Sequence, residues 1–108
     1  MTKVYIASHS RELAEEHARR LLSEVVSRWH DKEFLPTDQH TEGECFQIAI
    51  EDLNDIRECD ELHLLAGDEK YSGGKFVEAG IAYGLGKVVR VYGRRENMLT
   101  YLFEKYTE

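Results

Sequence analysis

The chain has 108 residues, 42% of them hydrophobic, and its 21 acidic residues outnumber the 14 basic ones for a formal charge of -7. This length fits one compact domain, 1–108, with no room for a second. The acidic balance opposes binding to a nucleic-acid polymer, though not to a small anion held by a few local donors, and no apolar run approaches the roughly 20 residues of a membrane span.

Met1-Thr2-Lys3 runs directly into a strand pattern, without the apolar stretch of a signal peptide, which predicts a cytoplasmic protein. Cys45 and Cys59 have neither disulfide-framework nor zinc spacing and read as thiols. A domain of this size buries too little surface to be very stable alone, so a homodimer or higher homo-oligomer is expected.

Residues 3–7 (KVYIA) form a β-branched and aromatic run, and Ser8, His9 and Ser10 then supply turn and cap chemistry for a helix over 11–23. Residues 24–30 (EVVSRWH) suit a second strand, and the polar, proline-bearing stretch 31–43 a surface loop. Apolar spacing predicts a helix over 44–59, broken near Asp52. A third strand over 61–66 (ELHLLA), a loop over 67–74, a helix over 75–85 and a fourth strand over 87–92 (KVVRVY) follow, with a last amphipathic helix over 96–106.

Strands alternating with helices specify an α/β fold: a three-layer, Rossmann- or flavodoxin-like, doubly wound parallel sheet of about four strands in the order 2-1-3-4. Ligands of such sheets bind at the carboxyl ends of the strands where the order reverses, which singles out the loops after Ala7, His30 and Ala66. Into that region leads Ser72-Gly73-Gly74-Lys75-Phe76-Val77-Glu78, a glycine-rich helix start whose free amides favour an anion. A carboxylate at Glu78 has a bland reading too, as a group that stabilises the helix dipole.

These segments resemble the nucleoside 2-deoxyribosyltransferase family, including its deoxynucleoside monophosphate N-hydrolase relatives. The resemblance covers most of the chain: Val4-Tyr5-Ile6-Ala7-Ser8, Glu51-Asp52-Leu53-Asn54-Asp55-Ile56 with Cys59-Asp60, and Ser72 through Gly80 with Gly86-Lys87. It implies an enzyme that cleaves an N-glycosidic bond, with Glu78 attacking the anomeric carbon, Asp52 handling the proton of the base, and Tyr5 holding the nucleophile. It implies Glu78 ionised and Asp52 protonated or bridged to the base, small-molecule nucleosides or nucleotides as substrates, and no cofactor and no metal. The chain looks shorter than most transferases, and its pattern lacks their fifth strand.

Ser72 matches the serine with which the hydrolases contact phosphate, and Arg11, beside Ser8, His9 and Ser10, matches their arginine. A solvated arginine is the alternative. Lys75 reads either as a phosphate contact or as a rim residue. Trp29 and His30 end the second strand, where an indole stacks on a base or simply packs in the core. Asn97 resembles the polar residue that reaches a neighbouring subunit's site; helix capping is its other reading. Asp52 likewise fits an N-cap, and Tyr5 a core position. His17, His40 and His63 show no metal-ligand spacing. The rivals are a nucleotide-binding sensor that has lost the chemistry, and a cytokinin-type phosphoribohydrolase, whose longer arginine motif is not evident here.

Overall fold

The computed structural model describes residues 2–21, 25–28, 40–67 and 73–106. Along the chain run β1 (Thr2–Ala7), α1 (Arg11–Arg20), β2 (Val25–Arg28), α2 (Glu42–Glu58), β3 (Glu61–Leu65), α3 (Gly73–Gly84), β4 (Val88–Tyr92), a 3-10 helix (Met98–Leu102) and β5 (Glu104–Tyr106). All neighbouring strands pair in parallel, in the order β2-β1-β3-β4-β5. The expected order of the first four strands is present, and a fifth joins the β4 edge.

Two expectations are corrected. Residues 96–106 do not form an amphipathic helix, because Asn97 caps a single short 3-10 helix and the chain then extends to pair with β4. This supplies the fifth strand that the sequence pattern lacked. The helix around Asp52 is unbroken from Glu42 to Glu58, so Asp52 lies in its interior and is not a cap. Its true start is the capping box of Thr41 and Glu44, in which the Thr41 hydroxyl accepts from the Glu44 amide at 3.1 Å and Glu44 accepts from the Thr41 amide at 3.3 Å.

Side chains of β1 alternate between two covered faces, as a central parallel strand requires. Val4 and Ile6 pack with Ala14, Ala18 and Leu21 beneath α1. Tyr5 and Ala7 face the other layer, with Ile56 and Cys59 from α2 and its end, and Ala79 and Ala82 from α3. Fully buried Ala79 and Ala82 let α3 sit close to the sheet, whereas Gly80 is exposed on its outer side. Cys45 and Cys59 are free thiols, and Cys59 donates to the Ile56 carbonyl at 3.0 Å.

Under α1 the sheet carries polar groups that periodicity does not reveal. His17 Nε2 lies 2.9 Å from His63 Nδ1, both rings pack against Tyr92, and His63 Nε2 lies 3.3 Å from Glu61. One arrangement satisfies the chain of contacts: His17 donates to His63, which donates to Glu61. Burial, and secondarily the Arg90 charge, push the His63 pKa down from 6.5 to about 4. The unfolded chain therefore takes up a proton between those values that the folded chain refuses. Stability should fall by up to about 3 kcal/mol as pH drops through this window. Urea unfolding at pH 7 and pH 4.5 checks this, and the double variant His17→Phe/His63→Leu should lose much of the dependence. No helix among the described residues is long and apolar enough to cross a membrane.

Candidate active site

Three side chains from three elements meet on the α2/α3 side of the sheet. Tyr5 is carried by β1 and is fully buried, which fixes its ring. Its hydroxyl donates a hydrogen bond to Glu78 Oε2, in the second turn of α3. Asp52, on α2, is partly buried and near enough for its charge to act on Glu78.

Burial pushes the Glu78 pKa up from 4.5 to about 7; the Tyr5 hydrogen bond opposes this and the Asp52 charge adds to it. The free amides of α3 therefore do not leave Glu78 fully ionised, as the resemblance implied. At neutral pH the group stands near its midpoint, and a carboxyl so poised can serve as a nucleophile when ionised and as a proton donor when not. Tyr5→Phe removes the contact that holds the value down. The Glu78 midpoint should rise by about one unit, the size of a charge-assisted hydrogen bond of roughly 1.5 kcal/mol, as read by carboxyl NMR titration.

The other predicted site residues fall into several groups. Ser8 is buried at the end of β1, where its hydroxyl donates to the Ser10 carbonyl at 3.0 Å and accepts from the Ser10 amide at 3.1 Å. Ser10 in turn caps α1, and His9 stands partly buried between them. Gly73 and Gly74 open α3 and are exposed, and a Cβ on either would meet nothing within 4 Å. The packing of the described residues therefore does not demand glycine at these positions.

Arg11 lies on the exposed face of α1, paired with Glu15 at 3.1 Å, in keeping with its solvated reading. Asn97 uses its side chain to accept from the Thr100 amide at 3.2 Å, which is the capping reading. Trp29, His30 and Ser72 lie outside the described residues. A recess of about 220 Å³ beneath α1, lined by Leu13, Glu16, His17, Arg20 and Tyr92 among others, includes none of the predicted site residues.

Lys75 is a correction. Neither a rim residue nor exposed to a ligand, it is 1% exposed, with its ammonium 2.8 Å from Glu96 and 3.3 Å from the Leu65 carbonyl. Glu96 was expected inside a helix; it lies instead in the connection after β4 and also accepts from the Gly67 amide at 2.7 Å. Burial raises the Glu96 carboxyl, but Lys75 and the Gly67 amide outweigh it and hold the group below the ordinary carboxylate range.

No family model and no curated protein matches the sequence. Solved structures do match. A 2-deoxyribosyltransferase from Bacillus psychrosaccharolyticus aligns with a TM-score of 0.74 at 19% identity, over 99% of this chain and 87% of that one. A 2-deoxyribosyltransferase from Leishmania mexicana gives 0.61 at 22% identity, over 94% and 71% of the two chains. A CMP N-glycosidase from Clostridium botulinum gives 0.57 at 21% identity, over 97% and 85%. The Tyr5, Asp52 and Glu78 constellation is thus set in a fold that this chain shares with two deoxyribosyltransferases and a nucleotide N-glycosidase.

Proposed function

We propose that the protein is a cytoplasmic enzyme, working as a single domain, that cleaves the N-glycosidic bond of a nucleoside or nucleoside 5'-monophosphate. The observation that carries this reading is the part-buried Tyr5–Glu78 hydrogen bond beside Asp52, with Glu78 poised at about 7. In the first step a Glu78 carboxylate oxygen bonds to the anomeric carbon. The carbon–nitrogen bond breaks, its electron pair stays on the base, and Asp52 gives that nitrogen the proton that it has taken over from Glu78. In the second step water or another base attacks the same carbon, the glycosyl ester opens, and Asp52 recovers a proton. Two displacements return the original anomeric configuration.

Tyr5 orients Glu78 and favours its ionised form. Ser8, His9, Gly73 and Gly74 line the strand and helix ends from which a sugar or phosphate would be held. Ser72, Arg11 and Asn97 are retained as substrate-binding candidates on the resemblance alone, and Trp29 and His30 on their place at the end of the expected second strand. The reading includes self-association, supported by Met98, Leu99 and Tyr101, which are 83%, 72% and 73% exposed on the 3-10 helix. Light scattering tests this part, and a monomer at micromolar concentration would refute it.

The deciding experiment incubates the protein with nucleosides and their 5'-monophosphates, with and without an added base, and separates the products. Free base alone indicates a hydrolase, and a new nucleoside formed only with added base indicates a transferase. Saturable binding without product would overturn the enzymatic reading in favour of a nucleotide sensor.

A further inference from the structure

We propose that Lys75 and Glu96 form a positioning clamp that sets the height and rotation of α3, and so delivers Glu78 to the Tyr5 hydroxyl; the inference rests on Glu78 being the reactive group. A lysine without solvent contact is rare unless paired, and here each end of the pair is tied to backbone. Lys75 lies in the first turn of α3, three residues before Glu78 and so on nearly the same face of the helix. Its ammonium donates to the carbonyl of Leu65, the last residue of β3, and to Glu96. Glu96 also accepts from the Gly67 amide, just past β3.

Three segments therefore converge on one ion pair: the exit of β3, the start of α3 and the exit of β4. The two exits are themselves locked together. The Ala66 amide donates to the Tyr92 carbonyl at 2.8 Å, and a Cβ on Gly93 would lie 2.1 Å from the Ala66 oxygen. The clamp thus fastens the helix that carries Glu78 to the joined exits of β3 and β4. Tyr5 is fixed independently on β1, so the distance between its hydroxyl and Glu78 depends on where α3 is held. Glu78 faces Tyr5 from β1 and Asp52 from α2. Lys75 acts on Glu78 through the position of α3.

The consequence is specific. Without the clamp α3 shifts, the Tyr5 bond lengthens, and the Glu78 midpoint rises towards that of Tyr5→Phe. The test is a carboxyl NMR titration of 13C-glutamate protein for the wild type, Lys75→Met, Glu96→Gln and Tyr5→Phe, with the resonance assigned by its loss in Glu78→Gln. Val89→Ala, a core truncation away from the clamp, controls for stability. The clamp variants should raise the midpoint by at least about half the Tyr5→Phe shift, and on the active enzyme lower kcat about tenfold with KM changed less than about twofold. Val89→Ala should leave the midpoint in place.

Folded clamp variants with a wild-type midpoint would overturn the clamp, as would an equal shift in Val89→Ala. If Lys75→Met does not fold, Glu96→Gln, which keeps the lysine's bond to Leu65, decides. The titration needs no turnover, so it separates the two readings. A shifted midpoint in a protein that releases no base keeps the clamp and removes the enzymatic reading, whereas base release with an unshifted midpoint does the reverse.

Discussion

Glu78→Gln should abolish base release, with kcat falling by at least about a thousandfold, and at the same time make the protein more stable above neutral pH. The two effects share one cause. Glutamine keeps the shape of the side chain and an oxygen for the Tyr5 hydroxyl, but it cannot donate an electron pair to form a glycosyl ester. The wild-type carboxyl, with its pKa raised from 4.5 to about 7, is also a liability to the fold. The folded chain holds a proton between those values that the unfolded chain has already released. Stability linked to this group is therefore present below pH 4.5 and lost as pH rises through about 7, by up to about 3 kcal/mol. Glutamine removes that loss. Thermal unfolding at pH 8 should show a Tm higher by on the order of 10 °C, and the gain should vanish near pH 4.5. The same titration governs activity: kcat/KM of the wild type should rise towards neutral pH and fall again above it, since Glu78 attacks only when ionised and the base leaves only while the Glu78–Asp52 pair still holds a proton. A variant that retains activity would remove Glu78 as the nucleophile, and one with no pH-dependent gain in Tm would show that its carboxyl is not held protonated by burial.

Gly93→Ala should be the most damaging single methyl in the protein. Gly93 has φ of 102°, and its hypothetical Cβ would lie 2.1 Å from the Ala66 carbonyl oxygen and 3.0 Å from the carbonyl carbon. Both obstacles are backbone, so no side chain can rotate away. The positive φ alone costs an alanine about 1–2 kcal/mol. Relieving the contact requires parting the exits of β3 and β4, where Ala66 bonds to Tyr92. A total loss of about 3 kcal/mol or more is expected, seen as a Tm lower by 10 °C or more on the order-of-magnitude scale for a domain this size, or as failure to accumulate folded. Gly73→Ala is the contrast, since among the described residues a Cβ there meets nothing within 4 Å and the residue starts a helix. It should leave Tm within about 1 °C or raise it.

The resemblance to the deoxyribosyltransferase family supplied Tyr5, Asp52 and Glu78 as candidates, and the sequence by itself determined the α/β class, the order of the first four strands and the switch point between β1 and β3. These follow from local patterns: short β-branched runs alternating with amphipathic ones admit few topologies, and a glycine-rich helix start marks a ligand end of the sheet. Tertiary structure decided the rest. The segment after Asn97 has helical spacing, but the open edge of β4 offered it a ladder of hydrogen bonds that a short exposed helix could not match, and β5 formed. Asp52 looked like a cap because capping chemistry is local, whereas its place inside α2 depends on the Thr41–Glu44 box more than two helical turns earlier. Lys75 and Glu96 are 21 residues apart and individually look like surface charges. Only the fold brings them together, with Lys75 fully buried and Glu96 partly so, where each becomes the partner the other needs. The same holds for the Glu78 titration near neutrality: its charge state is set by burial and by groups from β1 and α2, and no stretch of sequence around Glu78 contains them.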